Sequence, residues 1–193
     1  PAFVRVMREA RRPPDADISV DVAVCGGTLG LLLATALQLR GHKVAVIEAG
    51  PLRGRAQDWN TSEEELRSLV SAGVLDASEL ATVAPLSFGP MACRFGASPQ
   101  WELELRGVLD VGVSPSELLR CVRARFEKAG GLVLERTPVR SVAVHKDGAA
   151  LFLARRGGGG DGGGGVAAAE AEGSTVLHAR LVVDCMGHRS PIA

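Results

Sequence analysis

Cys25, Gly27 and Gly30 stand in the stretch VAVCGGTLGLLLA, Val22 to Ala34, at nearly the spacing of a dinucleotide-binding turn, G-x-G-x-x-G. Such a turn lets a pyrophosphate approach main-chain N–H groups at the start of a helix. Gly27 and Gly30 take the second and third glycine positions, which leaves Cys25 in the first. A frame beginning at Gly26 fails, because Thr28 would then be the second glycine. Gly27 carries no Cβ to hold phosphates away, and Gly30 lets helix and strand pack closely. Cys25 is tolerable at a tight turn if it keeps an ordinary β-like conformation while Gly26 absorbs the strain. The predicted cradle is therefore Cys25, Gly26, Gly27, Thr28, Leu29 and Gly30.

Glu48 lies 23 residues past Cys25, close to the spacing expected of a ribose-binding acid. A carboxylate there accepts hydrogen bonds from ribose hydroxyls and repels a 2′-phosphate, which favours an adenosine without that extra group. The structural alternative is a glycine turn beside a surface glutamate. Ala49 follows the acid, and Arg53 and Arg55 lie a few residues on. Their guanidinium groups are either counter-charges for a pyrophosphate or solvated loop cations. Near the other end Asp184 and Gly187 close an apolar run. Asp184 either faces a ligand at a strand end or serves as a turn former. No Ser/His/Asp arrangement or metal-ligand cluster is legible, so no catalytic residue is assigned and no metal is expected. Trp59 and Trp101 read equally as loop anchors and as stacking groups.

The elements that must position these residues follow from periodicity and caps. Val20–Val24 reads as a strand, Thr28–Arg40 as a helix stopped by Gly41, and Lys43–Glu48 as a second buried strand. Strand, glycine turn, helix and strand within about thirty residues make a βαβ unit. Ser62 with Glu65 predicts a capped helix reaching about Ala72. Three prolines interrupt 73–108, which has no clear assignment. Ser114, Pro115 and Glu117 start a helix whose Leu118, Leu119, Val122 and Phe126 share one face, with Gly130 ending it. GLVLER reads as a strand, and SVAVHKDGAALFLA as a β-hairpin turning at Asp147-Gly148. STVLHARLVVDCMGHRS reads as a strand pair and a turn.

Composition bounds the rest. A hydrophobic share of 46% with 22 basic against 22 acidic residues fits an ordinary soluble globular chain and gives no sign of nucleic-acid binding. The longest apolar run, Leu29 to Leu39 with the polar Thr35 and Gln38 tolerated within it, is about half of what spans a bilayer. Cys25, Cys93, Cys121 and Cys185 are far apart, which argues against zinc, a redox dithiol or a disulfide scaffold. Residues 1–19 read as an extended lead-in. Its arginines, Arg5, Arg8, Arg11 and Arg12, suit either the tail of a targeting peptide or a solvated arm. Residues 157–173, rich in glycine and alanine, read as a disordered surface insertion.

Taken in order, VCGGTLG, VIEAG, LRGR, SPSELLRCVRARFEKAGG, VRSVAVHKDGAALFLA and LVVDCMG resemble the N-terminal part of FAD-dependent oxidoreductases of the glutathione-reductase superfamily. The branch is that of aromatic hydroxylases, geranylgeranyl reductases and lycopene cyclases. CGGTLG with GRAQDWN is similar to lycopene-cyclase-like plastid flavoproteins of plants and algae. The resemblance implies an α/β, Rossmann-like FAD-binding domain over 20–193 with an inserted β-hairpin layer, incomplete because later flavin-contacting and substrate segments are missing. It implies FAD held through Glu48, with the backbone at Val139 or Arg140 near the adenine. It further implies a small-molecule substrate, NAD(P)H as electron donor, and a plastid location. The D-x-x-G turn, Asp184 to Gly187, is of the lycopene-cyclase type; hydroxylases of the branch carry adjacent Asp-Gly where this chain has Met186-Gly187. An NAD-dependent dehydrogenase shares the loop and the acid but predicts further strand–helix alternation after residue 60. A non-catalytic nucleotide-binding scaffold is the reading from a different class.

Overall fold

A computed structural model describes residues 2–7, 15–53, 57–94, 96, 102–154 and 174–192. The N-terminal arginines 8, 11 and 12, Arg55, Trp101 and the glycine-rich run 157–173 lie outside those residues. In chain order the elements begin with β1 (Val4–Met7), β2 (Ile18–Cys25), α1 (Gly30–Gln38) and β3 (Val44–Ile47). There follow β4 (Trp59–Thr61), α2 (Glu63–Ser71), a 3₁₀ turn at Ala77–Glu79, α3 (Leu80–Val83), β5 (Leu86–Ser87), β6 (Met91–Arg94), β7 (Glu102–Leu105) and β8 (Val111–Val113). The chain continues through α4 (Pro115–Lys128), β9 (Leu132–Leu134), β10 (Val139–His145), β11 (Gly148–Leu153) and β12 (Thr175–Asp184). These elements fall into two compact units, Pro1–Leu52 with Phe126–Ala193, and Arg53–Arg125.

The first unit is built on a seven-stranded sheet in the order β1-β10-β11-β12-β2-β3-β9. Strands β12, β2, β3 and β9 run parallel. All four residues of β3 are buried, as a strand covered on both faces requires. Ala23, Cys25, Ala45, Ile47, Leu151, Leu153, Leu177 and Ala179 form a core cluster on this sheet. Helix α1 buries Leu31, Ala34 and Thr35 and is followed by Gly41 at φ +90°. It is two residues shorter at each end than its apolar pattern suggests. Gln38 ties it down at its C-terminal end, donating to the Ala129 carbonyl and accepting from the Val44 N–H.

The second unit holds a three-stranded antiparallel sheet, β4-β8-β5, and the β6–β7 ribbon. Helix α2 has the predicted capping box: the Glu65 N–H donates to Ser62 Oγ, and the Ser62 N–H donates to Glu65 Oε2. The predicted face of α4, Leu118, Leu119, Val122 and Phe126, is buried throughout.

Four expectations need correction. The lead-in contains a strand: β1 pairs parallel with β10, Val4 opposite Val142. The last segment is one strand and not two, because β12 is long enough to pair antiparallel with β11 and parallel with β2 at once. Through β12 the hairpin strands join the main sheet, and so form no separate layer. The hairpin turns at Lys146-Asp147; Gly148 already pairs with His145 and opens β11 at φ +142°.

Candidate nucleotide site

Asp184, Cys25, Ile47 and Leu134 stand side by side at the C-terminal ends of four parallel strands: Asp184 pairs with Cys25, Cys25 with Ile47, and Ile47 with Leu134. Four loops leave from this level row. They are Gly26–Leu29, Glu48–Leu52, Glu135–Pro138 and Cys185–Gly187, at the edge where open α/β sheets take their ligands.

The first loop shows how a cysteine can stand in the first position. Cys25 is the last residue of β2 and fully buried, while Gly26 takes the left-handed conformation at φ +99°. A Cβ on Gly26 would lie 2.5 Å from the Cys185 carbonyl oxygen. Gly26 donates to the Ile47 carbonyl at 2.8 Å, and the Cys185 N–H donates to the Cys25 carbonyl at 2.7 Å. Three strand ends are thereby laced together. Burial, reinforced by the nearby Asp184 and Cys185, pushes the Cys25 thiol up to about 12, so it is a protonated packing group. Gly30 performs the role expected of it: a Cβ there would lie 2.7 Å from Val24 Cγ1.

Gly27 differs from expectation. A Cβ on it would collide with Leu52 Cδ1, so the room it leaves is taken by that buried side chain. The donors open to an anion lie one step further on. Helix α1 has Leu29 as its N-cap, with no side-chain cap and no acid in its first turn. Among the described residues the backbone N–H groups of Thr28, Leu29 and Gly30 have no hydrogen-bond partner. These donors at a nine-residue helix suit a phosphate.

Glu48 turns its carboxylate back toward the loop. Oε2 accepts from the Gly27 N–H at 2.8 Å and Oε1 from the Gly50 N–H at 3.0 Å. Each oxygen retains a second lone-pair direction for a ligand hydroxyl. The Glu48 main chain is held as firmly, its N–H donating to the Leu134 carbonyl and its carbonyl accepting from the Thr137 N–H, both at 2.9 Å.

The sequence reading passed over Leu52 and the Glu135–Thr137 turn. The Arg136 N–H donates to the Gly50 carbonyl at 2.9 Å, and Glu135 Oε1 accepts from the Leu52 N–H at 2.5 Å. Two loops from neighbouring strands therefore form one hydrogen-bonded platform around the acid. The only linear signal for it was the Thr-Pro pair after GLVLER, a plain turn marker. Val139 lies in β10, its side chain packed on the core cluster. Asp184 Oδ1 accepts the Met186 N–H at 2.9 Å, closing a turn, and Gly187 follows at φ +82°. Ala49 sits in the acid loop between Glu48 and Gly50. Arg53 opens the second compact unit.

No family model and no curated protein matches this chain. Solved structures do. A flavoprotein/dehydrogenase from Cytophaga hutchinsonii is similar at a TM-score of 0.63 and 16% identity, over 88% of this chain and 40% of its own. The OxyS anhydrotetracycline hydroxylase from Streptomyces rimosus gives 0.65 and 19%, over 91% of this chain and 33% of its own. The myxobacterial chondrochloren halogenase CndH, described as a variant of FAD-dependent halogenases, gives 0.65 and 19%, over 90% and 38%. This chain shares their fold, a mixed α/β architecture with a parallel-rich sheet. It spans between a third and two fifths of their length. No helix among the described residues is long and apolar enough to cross a membrane.

Proposed function

We propose that this chain is the FAD-binding portion of a flavin-dependent oxidoreductase. The observation that carries the reading is the pairing, along one row of strand ends, of three unpartnered N–H groups at α1 with a glutamate held by two glycine amides. Anion donors at β2 and a hydroxyl acceptor at β3 are the two chemistries that a pyrophosphate followed by a ribose requires. In this reading Thr28, Leu29 and Gly30 hold the pyrophosphate, Gly26 and Gly27 shape the turn, and Glu48 accepts from the ribose. Arg53 and Arg55, following the acid in sequence, are proposed as counter-charges on spacing alone. When bound, the flavin supplies the redox chemistry, and these residues supply position and electrostatics.

The likeness in fold to flavoproteins favours FAD over a nicotinamide cofactor. So does the route of the chain, which leaves β3 for a separate unit, returns through α4 to β9 and then turns into a hairpin, where a dehydrogenase continues in strand–helix alternation. Lycopene-cyclase-like chemistry on a small molecule, NAD(P)H as donor and a plastid address are proposed on the sequence resemblance.

The test is Glu48→Gln in the natural protein carrying these residues, read by flavin fluorescence on titration with FAD and by competition with ADP. Loss of a charged acceptor predicts about tenfold or greater weakening of both. It also predicts a smaller preference for ADP over its 2′-phosphorylated form. Unchanged affinity in both titrations contradicts the assignment of Glu48 to the ribose.

A further inference from the structure

Arg136 is one of two non-glycine residues among those described that have positive φ, here +52°. It is exposed, and among the described residues its guanidinium makes no hydrogen bond or ion pair. A glycine or asparagine would make the same turn with less strain. The fold nevertheless holds this backbone on both sides. The Arg136 N–H is bonded to the Gly50 carbonyl, the Thr137 N–H to the Glu48 carbonyl, and Thr137 Oγ1 donates to the Glu135 carbonyl at 2.8 Å. Strained residues held by their surroundings cluster at ligand clamps, so the outlier raises the question of what the side chain meets.

The row of strand ends answers it. Neighbouring strands are about 4.8 Å apart, so stepping from β2 through β3 to β9 covers about 10 Å. That matches the run of an adenosine diphosphate from pyrophosphate through ribose to base. With the phosphates on α1 beside β2 and the ribose on Glu48 at the end of β3, the adenine arrives at the end of β9. The loop there is Glu135–Pro138. We infer that Arg136 lays its guanidinium plane against the adenine of the bound nucleotide, and that the left-handed backbone is retained to aim it. A planar, delocalised cation stacks on an aromatic face in a way that a lysine ammonium cannot. Ala49, the residue after the acid, has no side chain beyond Cβ with which to cover the base.

This assignment rests on the nucleotide reading above, and its test separates the two. Wild-type protein, Arg136→Gly and Arg136→Lys are compared by titration with FAD and with ADP, and by thermal unfolding without nucleotide. Glycine keeps the turn and removes its strain, so R136G is expected to melt about 2–4 °C higher. It should at the same time bind FAD and ADP about 3- to 30-fold more weakly. R136K should lose most of that affinity as well. Wild-type affinity in R136G overturns the stacking role and leaves the flavoprotein reading standing. Full affinity in R136K overturns it too, because a point charge on a phosphate would then suffice. Wild-type protein that binds neither FAD nor ADP overturns both.

Discussion

Cys25 is a departure from pattern that costs the turn nothing, because the conformation that demands a glycine falls one residue later. Position 25 is still strand, paired with Asp184 on one side and Ile47 on the other. The left-handed φ belongs to Gly26. The thiol has a measurable consequence. A thiol is neutral when protonated, and burial lifts Cys25 from 9.0 to about 12. Below pH 9 both folded and unfolded chains keep the proton, and stability is unaffected. Between 9 and 12 the unfolded chain releases it while the folded chain does not, so stability falls by up to about 1.4 kcal/mol per pH unit. Cys25→Ala should remove that fall: urea midpoints at pH 8 and pH 10 should diverge less in the variant than in the wild type. Equal divergence would mean that Cys25 ionises as freely as in the unfolded chain. At this scale the acid and the glycines were legible, since their types and spacing are local. Leu52 and Arg136 were not. A leucine filling the space over Gly27 and an arginine in a left-handed turn leave no mark on linear spacing.

The β2–α1 turn, as an element, is fastened from three directions. Gly26 bonds to the end of β3, Cys25 accepts from the residue after β12, and Glu48 takes the Gly27 N–H. Gly26→Ala would force a Cβ to 2.5 Å from the Cys185 carbonyl oxygen at a φ of +99°. The closing turn after β12 would have to move, at an expected cost of about 3 kcal/mol or more. Chemical denaturation measures it, and a loss under about 1 kcal/mol would show that the two turns are not locked. Most elements were readable because their signals are short-range: the Ser62–Glu65 box, the buried face of α4, the glycines that follow α1 and α4. The failures involve pairing at long range. Four residues, Val4–Met7, become a strand only because β10 lies more than 130 residues further along with a free edge. Nor does a ten-residue run with two sets of neighbours declare itself as one strand: Leu177–Leu181 alternates apolar and polar, whereas Leu181–Val183 is continuously apolar.

At the scale of the molecule, two parallel strands flank β2 at one level and two loops close around Glu48. That arrangement gathers the residues of a weak motif into one hydrogen-bonded platform, on which the proposed nucleotide site rests. The likeness to a hydroxylase, a halogenase and a dehydrogenase at 16 to 19% identity is one of fold, and one fold there carries differing activities. The βαβ order was visible in the sequence. The level row of four strand ends was not, because register is set by pairing between segments far apart in the chain. The proposed order of pyrophosphate, ribose and adenine along β2, β3 and β9 rests on this row.

The central claim is tested most directly by the visible absorbance spectrum of the natural protein carrying these residues, with chromatographic identification of what it releases on unfolding. Flavin bands with FAD as the released species are the predicted result. A colourless protein that takes up no FAD when the cofactor is added would contradict the account.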